Sequence, residues 1–312
     1  MIETIVSADL PVDERLLLEK NRLQPDTLTG KEKRISIVSG IHGDELDGQY
    51  VCYELVRRIR SRKKYLKGIV DVFPSGNPLG LASRSRNVPL FELDMNRIFP
   101  GSLRGTTIEA VAARLMDNII GSDLCIDIHS SNIFLMETPQ VRISEEFAEQ
   151  LVPIARQLNT NFVWVHGSAT VLESTLAHSL NNMGVPTLAV EMGVGMRINQ
   201  AYGNQLLDGI FNVMKQLGIW DGPTEESKEP IVSTDGSVNL IHAETAGIFV
   251  PEVTHGEIVK KGQPLGSIVD SLTGEANQIV ESPEDGFLFT LREYPIVYEG
   301  SLIGRVLGGV AG

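Results

Sequence analysis

The segment from residue 38 to residue 45 reads Val38-Ser39-Gly40-Ile41-His42-Gly43-Asp44-Glu45. It continues a β-branched run that starts at Ile35, so we expect a buried strand that ends at the glycine and passes into a tight turn. The turn carries an imidazole and a carboxylate three positions apart, His42 and Glu45. Gly43 lies between them, where the missing Cβ allows a sharp bend. Such a turn is able to bind one divalent metal ion from adjacent directions.

Two further polar side chains follow apolar runs. His129 ends the run Asp127-Ile128-His129, and Glu191 closes another run near Gly193. His42, Glu45 and His129 are therefore candidate ligands for one Zn²⁺ per chain, because catalytic zinc sites take three protein ligands and leave one position for water. A buried carboxylate is costly, so Glu191 is the candidate general base.

Each of these residues also has a structural interpretation. His42 is alternatively a turn histidine bonded to the backbone, and Glu45 a helix-terminal charge favoured by the helix dipole. Glu191 is alternatively a strand-end carboxylate paired with an arginine. Asp127, on the same strand face as His129, is a candidate acceptor that orients the imidazole. The other four histidines are interpreted as surface or core residues, with His166 nearest the site; they are His166, His178, His242 and His255.

Length, charge and composition disfavour several classes of protein, among them nucleic-acid-binding and membrane proteins. The chain has 312 residues, enough for two domains, and a net charge of -13 that disfavours binding to nucleic acid or anionic membranes. Neither an apolar run of membrane-spanning length nor a signal-like N-terminus is visible, which predicts a cytoplasmic protein. Cys52 and Cys125 both lie in apolar patterns, so we expect two buried, reduced thiols.

Residues 1–225 alternate between β-branched runs and amphipathic segments, which predicts a three-layer α/β/α sandwich with a largely parallel or mixed central sheet. The predicted strands are Ile35–Ser39, Ile69–Phe73, Leu124–Ile128, Ile133–Glu137, Phe162–His166 and Thr187–Glu191. The predicted helices are Leu46–Lys63, Ile108–Ile120, Glu145–Leu158, Glu173–Met183 and Asn204–Leu217. Ligands of such sheets bind outside the carboxyl ends of the strands, where both candidate histidines and Glu191 fall.

The pattern changes after a polar, acidic linker at residues 221–231. Residues 232–312 lose helical periodicity and carry short β-rich stretches separated by glycines, which predicts a small all-β domain. The order of its glycines and prolines resembles the barrel-sandwich hybrid of biotinyl and lipoyl carriers. The corresponding hairpin tip, residues 270–274, contains no lysine, so we interpret this domain as structural or interface-forming.

A long segment of weak periodicity, residues 77–101, carries arginines in an otherwise acidic chain. Arg97 with Asn96 suits recognition of a carboxylate, because a guanidinium donates to two oxygens at once. Arg86 is a candidate for stabilising the oxyanion of a tetrahedral intermediate. Arg84 is interpreted as a solvated surface charge.

Together these motifs resemble the succinylglutamate desuccinylase/aspartoacylase family of zinc carboxypeptidase-like amidohydrolases. The resemblance rests on motifs that occur in the family's order: His42-Gly43-x-Glu45, Asn77-Pro78, Asp94-Met95-Asn96-Arg97-x-Phe99-Pro100, Asp127-Ile128-His129 and Val190-Glu191-Met192-Gly193. Met95 departs from the family, which more often has leucine there. The β-rich tail also resembles the family's C-terminal domain.

The resemblance implies a zinc carboxypeptidase-like α/β fold that holds one Zn²⁺ through His42, Glu45 and His129. It implies Glu191 as the general base or acid and Arg86 as the group that polarises the scissile carbonyl. It also implies that Asn96 and Arg97 hold a carboxylate of the substrate; these two complete the expected site.

We therefore predict hydrolysis of the amide bond of a small N-acyl amino acid, with the acyl group and the amino acid left open. A deacylase of the N-acetyl type comes first, a desuccinylase second and a metallocarboxypeptidase acting on short peptides third. The alternative from another class is a non-catalytic small-molecule binding protein that retains the fold. We also predict a homo-oligomer.

Overall fold

The strand before the His–Glu turn lies inside a large mixed sheet. The structure, a computed structural model, describes residues 1–167, 173–234 and 237–309. The described strands are β1 (Ile2–Asp9), β2 (Arg15–Leu23), β3 (Arg34–Ser39), β4 (Ile69–Phe73), β5 (Leu124–Ser130), β6 (Leu135–Ser144), β7 (Phe162–His166), β8 (Thr187–Gly193), β9 (Ile231–Thr234), β10 (Val238–His242), β11 (Gly247–Pro251), β12 (Ile258–Val259), β13 (Pro264–Asp270), β14 (Glu275–Glu281), β15 (Gly286–Arg292), β16 (Ile296–Val297) and β17 (Leu302–Gly308).

Six α-helices are described, together with four short 3₁₀ turns. The helices are α1 (Asp47–Ser61), α2 (Pro78–Ser83), α3 (Thr107–Ile119), α4 (Ala148–Ala155), α5 (Leu176–Asn182) and α6 (Gln200–Gln216). The 3₁₀ turns are Lys63–Tyr65, Met95–Arg97, Glu145–Phe147 and Arg156–Leu158. Among the residues described, no helix combines the length and the apolar composition that crossing a membrane requires.

The centre of the sheet is parallel, as the alternation of strands and helices predicted. Strands β4, β3, β5 and β8 lie side by side and run in the same direction. On one side of these four strands, β2 pairs antiparallel with β4 and forms an antiparallel hairpin with β1. On the other side, β6 pairs antiparallel with β8. The carboxyl ends of β3, β5 and β8 therefore meet at one edge, where a ligand site is expected.

Helices cover both faces of this sheet, so the three-layer sandwich is confirmed. Along β5 the side chains alternate: Ile126 packs in one core with residues of α1, α4 and α6. Cys125 packs in the other core with residues of α3 and α5. Asp127 and His129 follow Cys125 at every second position and therefore face the α5 side. Both cysteines are buried and free, as predicted.

Most predicted elements are present, with differences that have local causes. The strand predicted at Ile133–Glu137 instead spans Leu135–Ser144, and it continues past Pro139 through a register shift between Glu137 and Gln140. The helix predicted over residues 145–158 is divided into a 3₁₀ turn, α4 and a second 3₁₀ turn.

The prediction missed several elements. It did not identify β1 and β2, nor the short helix α2 inside the long segment 77–101. In α2 the side chain of Asn77 accepts a hydrogen bond from the amide of Gly80, and Pro78 occupies the first turn.

The C-terminal part of the chain is all β, as predicted. Residues 221–230 contain no helix or strand, and a four-stranded sheet of β14, β13, β11 and β16 follows in this part. The remaining C-terminal strands join the main sheet, with β15 antiparallel to β6 and β9 parallel to β7. The division into domains 1–225 and 232–312 stays a prediction, and residues 168–172, 235–236 and 310–312 of these ranges lie outside the described residues.

Candidate active site

The structure brings the three predicted metal ligands together. His42 and Glu45 lie in the turn between β3 and α1, and His129 lies near the end of the neighbouring strand β5. One nitrogen of each imidazole and one carboxylate oxygen of Glu45 all lie within 4.8 Å of one another, and the three side chains are buried. Two imidazole nitrogens and one carboxylate oxygen are a donor set that zinc and related divalent metals accept.

The hydrogen bonds distinguish the two nitrogens of each ring. The Nδ1 atoms face Glu45, at 2.7 Å for His42 and 2.9 Å for His129. The Nε2 atoms face other carboxylates, Asp94 at 3.0 Å and Asp127 at 2.9 Å. A carboxylate that accepts a hydrogen bond from the far nitrogen fixes the tautomer and the orientation of a metal-ligating histidine. The residues present therefore fit a divalent metal held by the two Nδ1 atoms and Glu45.

Close backbone packing explains the glycine in the turn. The amide of Gly43 donates to the carbonyl of Ser85 over 3.0 Å, and a Cβ on Gly43 would lie 1.9 Å from the carbonyl carbon of Gly80. A side chain at position 43 would therefore push α2 away from the turn. The glycine is required by this approach of α2 rather than by a left-handed backbone conformation, because its φ lies outside that region.

The electrostatics of the cluster favour a cation at its centre. Burial raises the pKa of the Glu45 carboxyl, but the charges and hydrogen bonds of His129 and His42 outweigh burial and hold this pKa at about 2. Burial lowers the pKa of His129, yet the carboxylates of Asp127 and Glu45 raise it well above its usual range. Because carboxylates surround the rings, this centre stabilises positive charge, whether it is carried by protons or by a metal ion.

Glu191 lies beside His129 through strand pairing. The parallel strands β5 and β8 pair these two residues directly, so both side chains lie on the same face of the sheet and line the same cavity. Oε1 of Glu191 lies 3.5 Å from Nη1 of Arg142, on β6. Burial raises the pKa of Glu191, and the guanidinium of Arg142 opposes this effect.

The structure places the three arginines of segment 77–101 in different surroundings. Nη1 of Arg86 lies 3.1 Å from Oε1 of Glu45, and Nη2 lies 3.4 Å from Oδ2 of Asp94, so Arg86 reaches the ligand cluster. Arg97 lines the cavity and donates to the main-chain carbonyl of Asn96 over 2.8 Å. Arg84 is exposed and caps the C-terminus of α2, away from the cavity lining.

Asn96 connects the arginine segment to α5. Its Oδ1 accepts a hydrogen bond of 2.9 Å from the amide of Leu176, the first residue of α5. The side chain of Asp94 in turn accepts from the amide of Asn96 over 2.9 Å. These bonds fix the segment against the helix that borders the cavity.

All the predicted site residues line one cavity of about 350 Å³. Its wall includes the predicted ligands, Glu191 and the predicted substrate-binding residues, and α5 contributes Ala177, His178 and Asn181. His166 borders the cavity, as expected from its position after a strand. His178, which we interpreted as a surface or core residue, also lines it.

Several groups in or next to this cavity were not predicted from the sequence. Asp94 was part of a motif but had no assigned contact. The other three are Glu137, Arg142 and Arg305, which form a charged cluster at the Glu191 side of the cavity. For Arg142 the sequence offers one indication of its position, the alternation Val141-Arg142-Ile143. This alternation places Arg142 on the face of β6 that does not carry the two apolar side chains.

Comparisons with known proteins agree with this architecture. The sequence model of the succinylglutamate desuccinylase/aspartoacylase catalytic domain matches residues 31–217, more than half of the chain. A curated relative is the N-alpha-acetyl-L-2,4-diaminobutyric acid deacetylase of Halomonas elongata, 23% identical over 267 residues that cover 83% of this chain and 77% of the relative.

Solved structures share the fold. A product-bound structure of the ectoine utilization protein EutE (DoeB) from Ruegeria pomeroyi aligns with a TM-score of 0.80 at 18% identity, covering 96% of this chain and 92% of that chain. A succinylglutamate desuccinylase/aspartoacylase from Rhodobacter sphaeroides aligns with a TM-score of 0.80 at 22% identity, covering 98% of this chain and 94% of that chain. With the family model matched across all the motifs of the cavity, the chain belongs to the succinylglutamate desuccinylase/aspartoacylase family.

Proposed function

We propose that this protein is a zinc-dependent hydrolase that cleaves the amide bond of an N-acyl amino acid and releases a carboxylate and a free amine. The observation that carries the proposal is the convergence of His42, Glu45 and His129 in a cavity where Glu191 is paired beside His129. Such a cavity would combine a metal site with a proton carrier, a combination suited to amide hydrolysis.

His42, Glu45 and His129 would hold the metal, and Asp94 and Asp127 would orient the two imidazoles. When bound, zinc would supply Lewis-acid chemistry that polarises the scissile carbonyl and acidifies water. Zinc suits the site because imidazole nitrogen and carboxylate oxygen are both among its usual ligands.

The chain's own residues would perform the proton transfers. Glu191 would take a proton from the attacking water as the water oxygen bonds to the acyl carbon, and would give that proton to the amine nitrogen as the C–N bond breaks. Its partly buried position raises the carboxyl pKa, which favours a carboxylate that must accept a proton during the reaction. Arg86 would stabilise the negative charge that develops on the carbonyl oxygen.

Substrate recognition would depend on Arg97 and Asn96. Among the described residues, Arg97 has no carboxylate within ion-pair distance, whereas Arg86, Arg142 and Arg305 each contact at least one. A cationic side chain of this kind in the cavity wall is suited to a carboxylate of the amino-acid part of a substrate. Asn96 would hold the same part of the substrate from beside α5.

The names of the relatives favour particular acyl groups. The Halomonas elongata relative is named as a deacetylase of an acetylated diamino acid, and the family name includes a desuccinylase. We therefore propose an acetyl or succinyl amide as the substrate, with the deacetylase first. The cytoplasmic location and the homo-oligomeric state remain predictions from the sequence.

A substrate panel tests this proposal. The purified protein is incubated with N-acetyl amino acids, N-succinyl amino acids and dipeptides, before and after treatment with a chelator, and released amine is quantified. We expect turnover of an N-acyl amino acid, its loss on chelation and its recovery with Zn²⁺. Turnover of dipeptides alone would favour the metallocarboxypeptidase. Absence of both turnover and stoichiometric metal would favour the binding protein.

A further inference from the structure

Three neighbouring strands carry a row of side chains from the C-terminal region to the active-site cavity. Glu137 on β6 is paired with Thr290 on β15, and Thr290 is paired with Arg305 on β17. Residues directly opposite on neighbouring strands project to the same face of a sheet. Main-chain pairing therefore directs Arg305 toward Glu137, and both residues line the cavity.

Glu137 is the centre of a charged cluster. This carboxylate is only 1% exposed and accepts from Nη2 of Arg142 at 2.9 and 3.1 Å, from Nε2 of Gln140 at 3.0 Å, and from Nη1 of Arg305. Arg142 and Arg305 also both lie over the ring of Trp164, with their guanidinium carbons 5.5 and 5.9 Å from its centroid. The cluster thus holds two cations on one buried carboxylate.

Arg142 is shared between two carboxylates. Its Nη2 binds Glu137, while its Nη1 lies 3.5 Å from Oε1 of Glu191. As long as Arg305 supplies a second cation to Glu137, Arg142 is not required to neutralise that carboxylate alone. If Arg305 were absent, the buried charge of Glu137 would favour a closer, two-pronged pairing with Arg142, because an unpaired buried charge is costly. Arg142 would then move away from Glu191.

We propose that Arg305 is a positioning residue for hydrolysis: it pairs with Glu137 and thereby holds Arg142 against Glu191. The inference rests on the proposed function, because it assigns a purpose to the orientation of Glu191. It also gives one residue of the C-terminal β region a part in the active site.

The test compares Arg305→Gln with the wild type and with two matched variants. Arg305→Lys keeps a cation beside Glu137. Arg292→Gln removes another arginine of the same region, one that donates to main-chain carbonyls and does not line the cavity. Each protein is checked by circular dichroism and thermal unfolding. Should Arg305→Gln fail to fold, Arg305→Met replaces it, because methionine keeps an apolar side chain over Trp164.

Kinetics with an N-acyl amino acid that the wild type hydrolyses give the first readout. We expect Arg305→Gln to lower kcat about 10- to 100-fold with KM changed less than about threefold, since small misplacements of a reacting group cost rate rather than binding. Arg305→Lys should recover most of kcat, and Arg292→Gln should leave it unchanged. An unchanged kcat for Arg305→Gln, or a rise in KM alone, would overturn the positioning role; the latter would make Arg305 a substrate-binding residue.

Crystal structures of the wild type and Arg305→Gln give the second readout, which needs no turnover. We expect the Arg142–Glu191 contact in the wild type and its loss in the variant. Persistence of that contact in the variant would overturn the proposal. If the wild type hydrolyses no N-acyl amino acid, the proposed function fails, and the two crystal structures still decide whether Arg305 positions Arg142.

Discussion

His129 and Glu191 are direct partners across the parallel strands β5 and β8. The pairing places a candidate metal ligand and a candidate proton carrier side by side on the α5 face of the sheet. Both lie at the edge where the parallel strands end. Backbone register, rather than loop conformation, therefore fixes the relation between the two groups. Sites on regular elements hold their geometry better than sites on loops.

Replacing Glu191 separates metal binding from proton transfer. Glu191→Gln keeps the size of the side chain but removes the carboxylate that would carry the proton. We expect kcat to fall about 10²- to 10⁴-fold, the usual contribution of general acid–base catalysis, while zinc content stays at the wild-type level. Steady-state kinetics and elemental analysis check both parts. Full activity in this variant would exclude Glu191 as the proton carrier.

Replacing the aspartates behind the imidazoles tests how the histidines are oriented. Asp94→Asn and Asp127→Asn each alter the acceptor for one Nε2 atom. We expect each to weaken zinc affinity about 10- to 100-fold, as is usual for partners of metal-ligating histidines. Competition with a chromophoric chelator measures the affinity. The control is Asp123→Asn, just before β5, whose carboxylate pairs with Lys33; a loss as large in the control would contradict this interpretation.

Replacing Arg97 tests substrate recognition. Arg97→Ala removes the guanidinium that has no carboxylate partner among the described residues. We expect KM for an N-acyl amino acid to rise about 10- to 100-fold, since charged hydrogen bonds contribute about 1.5–3 kcal/mol. An analogue whose carboxylate is replaced by an amide should show little change between the wild type and the variant. Arg84→Ala, at an exposed position outside the cavity lining, serves as the control.

The contact between Tyr202 and His255 predicts a pH dependence of stability. The Tyr202 hydroxyl lies 2.6 Å from Nε2 of His255, and burial lowers the pKa of His255, with Glu293 and Glu257 opposing this effect. The unfolded chain therefore binds the proton more readily than the folded chain. Stability from this group is complete above the unfolded pKa of about 6.5 and is lost as the pH falls through the folded pKa.

Urea unfolding at pH 7.5 and pH 5.5 checks this prediction. We expect the free energy of unfolding of His255→Gln to change less between the two pH values than that of the wild type. His242→Gln, at an exposed position of β10, keeps the Tyr202–His255 contact and should follow the wild type. An identical pH dependence in His255→Gln and the wild type would show that titration of His255 does not contribute to the pH dependence of stability.

The sequence predicted which residues converge at this edge of the sheet, because His42, His129 and Glu191 each follow a mostly apolar run. Strand ends are readable from composition, and parallel strands bring their ends to one edge. His42, His129 and Glu191 could therefore be placed together before their contacts were visible. The close approach of α2 to the His–Glu turn, which requires Gly43, could not be predicted because it depends on tertiary packing.

The remaining parts of the site depend on register and long-range pairing, which periodicity does not encode. Arg305 reaches Glu137 because β15 lies between their strands, and nothing in either sequence segment indicates that neighbour. The hairpin of β1 and β2 was missed for a related reason. Charged residues interrupt its apolar pattern, and one of them, Lys20, is buried against Asp71 of β4.

The proposed function depends on the binding of one zinc ion by His42, Glu45 and His129. Crystals of the protein supplied with Zn²⁺ and measured on both sides of the zinc absorption edge test it most directly. We predict one anomalous peak per chain, about 2.0–2.1 Å from Nδ1 of His42 and Nδ1 of His129 and bonded to the carboxylate of Glu45. If the protein hydrolyses N-acyl amino acids but shows no peak among these three residues, or a peak elsewhere, then His42, Glu45 and His129 are not the ligands of a catalytic zinc ion.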